Sequence, residues 1–200
     1  NADLSNAYIL AGYDSNSTSM SDNVTITMYG GRVNRIYTGH RYSGTVKGNV
    51  TVIMMEGANV QLVVPSSVGG NTTISGKLRI FAANGLSGTT MAGRSFDGQI
   101  VKTSSGWKVV GDAVVPMGCT MDIAEGTATT VPNGATLTNN GTIVNNGTIH
   151  LINSFIQLKG NEPTGTGSYT VNLPYVENAS AVTAASLNCT EIASPSYKAL

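Results

Sequence analysis

The protein has 200 residues, of which 40% are hydrophobic and only 11% are charged, with 11 basic side chains against 11 acidic ones. Charge this sparse and this evenly balanced argues against the strong field by which proteins bind nucleic acid or an anionic membrane surface. The 24 glycines and the shortage of helix-favouring residues predict an all-β protein, long enough for one continuous core or for two small ones.

The N-terminal part is predicted to hold a short strand and a loop. Residues 8–11, with the sequence YILA, are the one apolar piece among small and polar residues and predict a strand. Residues 15–21 are rich in Ser, which predicts a loop. The start NADLSNAYIL has no basic segment followed by an apolar core, so we expect a processed chain or a segment of a larger protein.

A long repeat follows over residues 20–97. Met20, Val46 and Ile74 open segments of one pattern, MSDNVTI, VKGNVTV and ISGKLRI, at spacings of 26 and 28 residues. A second apolar segment follows the first two at matching distance, VNRIY at 33–37 and VQLVV at 60–64, each introduced by glycine. A period in the high twenties corresponds to one coil of a three-faced parallel β-helix, in which successive coils stack.

Three stretches depart from this repeat. Residues 37–44, YTGHRYSG, predict a polar and aromatic loop that protrudes from the edge of a coil, where such folds usually carry function. Residues 81–97 have little periodicity and predict an extended loop. Residues 98–112 predict a strand, a tight turn and a second strand, a hairpin that separates the long repeat from a shorter one.

The clearest repeat covers residues 115–153. Three units of eight residues, VPMGCTMD, IAEGTATT and VPNGATLT, each begin with a β-branched residue and have glycine in the fourth place, after which the period shortens to six in NNGTIV and NNGTIH. Glycine and Asn-Gly pairs favour turns, and Thr, Val and Ile suit strands, so each unit predicts one short strand and one corner. A hairpin meander is the competing interpretation, but three or four residues between corners are too few for it.

Residues 161–200 are predicted to cap the last coil, because an open end would expose strand edges and apolar core. Within them, YTVNL at 169–173 alternates as a strand does, and 179–187 has helix-forming character with Asn178 as its N-cap. The predicted domains are a β-helix domain at 1–160, with long repeats at 20–97, the hairpin at 98–112 and short repeats at 115–153, and a capping segment at 161–200.

The two cysteines, Cys119 and Cys189, allow two interpretations. The composition, rich in uncharged Thr, Asn and Ser, favours an extracellular protein, in which the pair could form a disulfide that ties the C-terminal segment to the repeats. Alternatively Cys119 is a small core residue, because Thr127 and Ala135 hold its place in the next two units. Sequence spacing does not decide between the two. No run of about 18 apolar residues occurs, so no membrane insertion is predicted.

The repeats resemble a known family. The run VPNGATLTNNGTIVNNGTI at 131–149 resembles the repeats of bacterial cell-surface adhesin-like proteins of the pectate-lyase-like β-helix type. The glycine-punctuated pattern of residues 23–37 looks like repeats in large surface proteins of gut bacteria. The resemblance covers residues 23–151 and includes no catalytic signature. It implies a right-handed parallel β-helix, or β-solenoid, exposed at the bacterial cell surface, and it implies no particular ligand.

The predicted function is a non-catalytic module for adhesion or for binding a glycan or a host or matrix protein. Tyr37, His40, Arg41 and Tyr42 are the densest group of aromatic and cationic side chains, and Trp107 is the only tryptophan. Aromatic rings stack on sugar faces or anchor a protein partner, and arginine adds directional hydrogen bonds. Alternatively Tyr37 and Trp107 cover the edges of the core and Arg41 is solvated.

Two other functions remain open. A polysaccharide-processing enzyme would need several carboxylates converging on one coil face, whereas the acidic residues here are scattered singly. A structural stalk or spacer without a ligand is the second alternative. His40 and His150 are far apart, with no cysteine or carboxylate at ligand spacing, so the sequence predicts no metal site and no cofactor.

Overall fold

The computed structural model describes residues 3–14, 18–64, 72–152, 157–172 and 191–193. The regular structure of these residues is strand and includes no α-helix, so the predicted all-β class is confirmed. The chain divides into two compact units, Asn1–Lys102 and Thr103–Leu200. The division falls inside the segment 98–112 that the sequence predicts between the two kinds of repeat.

The strands range from 2 to 15 residues and follow one another closely along the chain. Those up to residue 103 are β1 (Asp3–Leu10), β2 (Thr18–Met20), β3 (Val24–Tyr37), β4 (Gly44–Val46), β5 (Val50–Val64), β6 (Thr72–Ile74), β7 (Leu78–Ala82), β8 (Thr90–Met91) and β9 (Gly98–Thr103). Those that follow are β10 (Gly106–Val115), β11 (Thr120–Ile123), β12 (Ala128–Val131), β13 (Thr136–Asn139), β14 (Thr142–Asn145), β15 (Thr148–Ile152), β16 (Leu158–Gly160), β17 (Ser168–Asn172) and β18 (Glu191–Ala193).

In the first unit the long repeats pair with one another as parallel strands. One sheet has the order β1, β3, β5, β7, β9, and a second has the order β2, β4, β6. The register sets Val24 beside Val50 and Val50 beside Leu78, so the segments that the sequence aligns at spacings of 26 and 28 residues do lie side by side. The inward side chains of β3, β5 and β7 form the core of this unit, together with Phe96.

The bend in the long strands β3 and β5 depends on glycine. The register between them shifts after Met28, and Gly30 then lies beside Gly57. A Cβ atom on Gly57 would lie 3.1 Å from the carbonyl oxygen of Tyr29, closer than most such contacts, so glycine favours this close approach of the two backbones. Beyond the bend, residues 33–37 pair with residues 60–64, as the second part of the repeat predicts.

Two predicted loops contain strands. Residues 18–20, inside the predicted loop at 15–21, form β2 and pair with β4; residues 15–17 lie outside the described ranges. Within the predicted extended loop at 81–97, the first two residues end β7, and β8 pairs with Leu62 and Val63 of β5. Both predictions were wrong at these positions because a neighbouring strand offers backbone hydrogen bonds even where the side chains show no strand pattern.

In the second unit the chain enters three sheets in a fixed order. One sheet contains β10, β13 and β16, another contains β11 and β14, and the third contains β12, β15 and β17. All of these strands pair in parallel, with Val115 beside Asn139 and Val131 beside Leu151. Alternate side chains of the four-residue strands are buried. The prediction that each repeat unit supplies one short strand and one corner is therefore confirmed.

Glycine serves two different purposes at these corners. In the eight-residue units, Gly118, Gly126 and Gly134 have φ values of 79°, 75° and 73°, the left-handed conformation that glycine adopts without strain. In the six-residue units, a Cβ atom on Gly141 or Gly147 would lie 2.3 Å from a backbone carbonyl oxygen of the preceding turn of chain. In the Asn-Gly units, glycine is thus required by close backbone approach and not by a positive φ.

Parallel pairing continues past residue 160. β16 pairs with β13, Thr164 forms an isolated bridge with Val144, and β17, which confirms the strand predicted at 169–173, pairs with β15. β18 then pairs with β17 in the antiparallel direction. The helix predicted at 179–187 lies outside the described residues, and the capping role of 161–200 stays a prediction. Over the described ranges, no helix has the length and apolar character that crossing a membrane requires.

Candidate functional site

The residues predicted to bind a ligand differ sharply in exposure. The side chain of Tyr37 is 6% exposed and that of His40 is 0% exposed, whereas Tyr42 is 44% exposed and Arg41 is half-buried at the surface. The expectation that the whole segment 37–44 protrudes was therefore wrong for residues 37–40. These residues form part of the core, and the segment reaches the surface at Arg41.

His40 holds the neighbouring turn of chain in place. Its Nδ1 accepts a hydrogen bond from the backbone N–H of Tyr13 at 3.0 Å, and its ring stacks on the Tyr13 ring with centroids 5.6 Å apart. Because Nδ1 accepts, the ring proton is on Nε2, which lies 3.4 Å from the carbonyl oxygen of Thr45. His40 thus fixes the position of Tyr13, whose own side chain is 52% exposed.

Close backbone contact brings residues 11–14 against residues 37–41. The N–H of Gly12 donates to the carbonyl oxygen of Gly39 at 3.2 Å, and the N–H of Arg41 donates to the carbonyl oxygen of Tyr13 at 3.2 Å. A Cβ atom on Gly12 would lie 2.9 Å from backbone atoms of Gly39 and His40, so this approach requires glycine. The surface residues of both segments are thereby held side by side.

Arg41 is the centre of the resulting surface cluster. Its Nη1 donates to Tyr8 Oη at 2.8 Å and forms an ion pair with Asp14 at 3.2 Å, and Tyr8 Oη also donates to Asp14 at 3.3 Å. The guanidinium carbon lies 4.9 Å from the ring centroid of Tyr8 and 5.2 Å from that of Tyr42, within cation–π distance. Lost hydration acts to lower the pKa of Arg41, but the Asp14 carboxylate and both phenols raise it overall, so the group stays cationic.

A small cleft opens beside this cluster, between β1 and β3. The β1–β3 register is irregular between Leu4 and Tyr8, so residues 5–7 bulge opposite Asn34. Bulges of this kind redirect side chains and often lie next to binding sites. The cleft has a volume of about 180 Å³, and we call it the Tyr8 cleft. Its lining residues are Asn6, Ala7, Tyr8, Asn34, Arg35, Tyr37 and Arg41.

Tyr37 connects the Tyr8 cleft to the core. Its ring lies edge-to-face with that of Tyr8, with centroids 5.7 Å apart and an interplanar angle of 86°. Arg35 donates from Nη1 to Tyr37 Oη at 3.2 Å. The buried ring therefore orients one exposed tyrosine, 41% accessible, and one arginine of the cleft.

Sequence inspection missed Tyr8, Tyr13, Asp14 and Arg35. The signal that could have found them is the period of the long repeat. Tyr13 and His40 are separated by 27 residues, and so are Asp14 and Arg41. Extending the repeat by one period toward the N-terminus would have set these pairs side by side, but residues 3–14 lack the apolar pattern by which the other repeat units were aligned.

Trp107 belongs to the second unit. Its side chain is 5% exposed, and Nε1 donates to the carbonyl oxygen of Asp122 at 2.7 Å. It lines a cleft of about 420 Å³ in that unit, together with Lys108 and Thr130 among others. A ligand-binding role for Trp107 stays a prediction.

Cys119 is buried, with 4% of its surface exposed, and burial raises the pKa of its thiol. Cys189 lies outside the described residues, so the disulfide between them stays a prediction. In the part of the chain that the structure describes, no three side chains of the His, Cys, Asp or Glu type come close enough together to hold a metal ion.

A scan against protein-family models, a search of the curated proteins and a search of the solved structures each found no match. The resemblance to adhesin-like β-helix proteins accordingly stays a prediction from the repeats.

Proposed function

We propose that this chain is a right-handed parallel β-helix module of a cell-surface protein, and that it binds a saccharide at the Tyr8 cleft. The observation that carries the proposal is the group of three exposed tyrosines, Tyr8, Tyr13 and Tyr42, arranged around the Arg41–Asp14 ion pair.

The order of strands supports the β-helix. In the second unit the chain passes from β10 to β11 and β12, then from β13 to β14 and β15, and each strand of the second set pairs in parallel with its counterpart in the first. Parallel strands joined by a crossover are almost always connected with right-handed topology, which favours the right-handed form. The same parallel pairing at intervals of 26 and 28 residues in the first unit agrees with this winding.

The chemistry of the cluster supports saccharide binding. Tyrosine rings offer flat apolar faces for the C–H surface of a sugar, and the phenol adds a polar contact at the edge. Asn6 and Asn34 provide amide donors and acceptors for sugar hydroxyls. A volume of about 180 Å³ lies below the roughly 300 Å³ at which ligand pockets begin, so the cleft suits a single sugar ring of a longer chain that continues across the exposed tyrosines.

The side chains of the cluster are held by contacts within the protein before any ligand arrives. Tyr13 is fixed by His40, Tyr8 by Tyr37 and Arg41, and the backbones of the two segments are hydrogen-bonded. Preorganised side chains lose little conformational entropy on binding. An enzymatic role has less support here, because the one described carboxylate of the cluster, Asp14, is already paired with Arg41.

A glycan array with matched variants tests the proposal. The double variant Arg41→Ala with Tyr42→Ala should weaken binding by about 2 kcal/mol, or about 30-fold, because it removes a central cation and a stacking ring. Tyr29, which is 80% exposed, and Lys47 lie outside the Tyr8 cleft, so their double alanine variant is the control and should bind as the parent does. If the parent protein binds no glycan, the stalk function is favoured. If both double variants lose affinity equally, the Tyr8 cleft is not the binding site.

A further inference from the structure

We infer that the sugar selected by the Tyr8 cleft carries a carboxylate group, which Arg35 binds. This inference rests on the proposed function and names the ligand class of the same site.

The charge of the cleft is unbalanced. Arg35 and Arg41 are both among the lining residues, and no lining residue is acidic. Arg41 has its counterion, because Asp14 pairs with it at 3.2 Å. Across the described residues, no carboxylate forms an ion pair with Arg35. The cleft thus contains one cation without an anionic partner, which an acidic ligand would complement.

Arg35 is exposed, and one hydrogen bond orients its guanidinium. Nη1 donates to Tyr37 Oη at 3.2 Å, and Tyr37 is itself 6% exposed and held in the core. One hydrogen bond engages one of the five N–H donors of a guanidinium, so others remain to bind a ligand. A planar, oriented guanidinium matches the two oxygens of a carboxylate in a bidentate arrangement.

The two arginines therefore have different tasks. Arg41, neutralised by Asp14 and flanked by Tyr8 and Tyr42, organises the aromatic surface on which a sugar ring lies. Arg35, which lies on β3 beside Tyr8 and next to the β1 bulge, meets a substituent of the sugar inside the cleft. Removing Arg35 should affect the choice between acidic and neutral sugars more than it affects stacking.

Carboxylated sugars come from two chemical sources, uronic acids and sialic acids. The experiment titrates the full chain with trigalacturonate, with 3′-sialyllactose and with the carboxyl-reduced form of each, by isothermal calorimetry at low salt. We expect one acidic probe to bind at least about tenfold more tightly than its reduced form, with the difference shrinking as salt is added. The acid that shows the larger difference identifies the source.

The variant Arg35→Gln should lose this preference and bind the acidic probe and its reduced form with equal affinity. Arg35→Lys retains the charge without the planar fork and should lose most of the preference, and it substitutes for the glutamine variant if that one does not fold. Equal binding of acidic and reduced probes by the parent, or full preference in Arg35→Lys, would overturn the inference while saccharide binding stands. Absence of binding to all four probes and to a neutral glycan array would overturn the proposed function itself.

Discussion

Gly134 and Gly141 lie one repeat unit apart, and we predict that their replacement by alanine destabilises the protein by different mechanisms and to different extents. Gly134 has a φ of 73°, and a Cβ atom there would meet nothing within 4 Å. Placing an L-residue in this conformation costs about 1–2 kcal/mol, from which the reduced entropy of the unfolded chain subtracts about 0.5 kcal/mol. Gly134→Ala should therefore lower the free energy of unfolding by about 1 kcal/mol.

Gly141 presents a steric problem instead. A Cβ atom there would lie 2.3 Å from the carbonyl oxygen of Pro116 and 2.4 Å from that of Cys119, where ordinary contact begins near 3.4 Å. The adjoining hydrogen bonds, Asn140 N–H to Val115 at 2.9 Å and Thr142 N–H to Cys119 at 3.0 Å, would lengthen as the strands separate. Overpacking of about 2 kcal/mol and two weakened hydrogen bonds of about 1 kcal/mol each give an expected loss of about 4 kcal/mol.

Asparagine separates the two mechanisms, because it tolerates the left-handed conformation but still has a Cβ atom. Gly134→Asn should recover much of the stability lost in Gly134→Ala, whereas Gly141→Asn should be at least as unstable as Gly141→Ala. Urea unfolding followed by tryptophan fluorescence suits the measurement, since Trp107 is the only tryptophan, is 5% exposed and lies in the same unit. Equal losses in the two alanine variants, or a tolerated Gly141→Asn, would refute the steric explanation.

Three further predictions concern the second unit. Asn139 is 1% exposed and lies beside Val115; its Nδ2 donates to the carbonyl oxygen of Asn161 at 3.0 Å, and its Oδ1 has no hydrogen-bond partner among the described residues. Asn139→Val loses that hydrogen bond but also removes the unpaired oxygen, so it should change the free energy of unfolding by less than about 1 kcal/mol. Asn139→Asp should cost about 3 kcal/mol at pH 7 and less in acid, and the reverse order in urea unfolding would contradict this. Burial raises the pKa of Cys119 above its usual 9.0, so the thiol stabilises the fold below that pH and this contribution is lost as pH rises through the raised value. The free energy of unfolding of Cys119→Ala should therefore fall less steeply with rising alkaline pH than that of the parent protein. An unchanged slope would contradict this prediction. Deleting residues 191–200 removes β18 and exposes the edge of β17, so light scattering should report a larger mass than for the full chain; an unchanged mass and stability would count against the capping role.

The repeats were predictable because each apolar position recurs at the same place in every repeat unit. Met20, Val46 and Ile74 could be aligned by type alone, and they pair in that alignment. The eight-residue units were clearer still, since each contains a glycine whose positive φ few other residues adopt. In the long repeat, the side chains that reveal the pattern are those that pack in or against the core.

Only part of the candidate site was predictable, because contacts between segments far apart in sequence bring its residues together. Arg41 and Tyr42 stood out because they are close together in sequence, whereas Tyr8, Tyr13 and Asp14 join this group through contacts that span 27 residues or more of the chain. The hydrogen bonds that hold the two segments together involve main-chain groups and Gly12, which leave little trace in composition. The burial of His40 could not be predicted either, because the groups that its ring contacts include a backbone N–H and a carbonyl oxygen, which every residue type provides.

The fixed order of sheets in the second unit limits how such a chain can change in length. Val115, at the start of one eight-residue unit, lies beside Asn139, at the start of the unit three places later. Losing a single unit would therefore move every later strand into a different sheet, so that Asn139 would no longer lie beside Val115. Losing or duplicating three consecutive units would leave each strand in its own sheet. Insertions and deletions within these repeats should thus be tolerated in sets of three units and rejected singly.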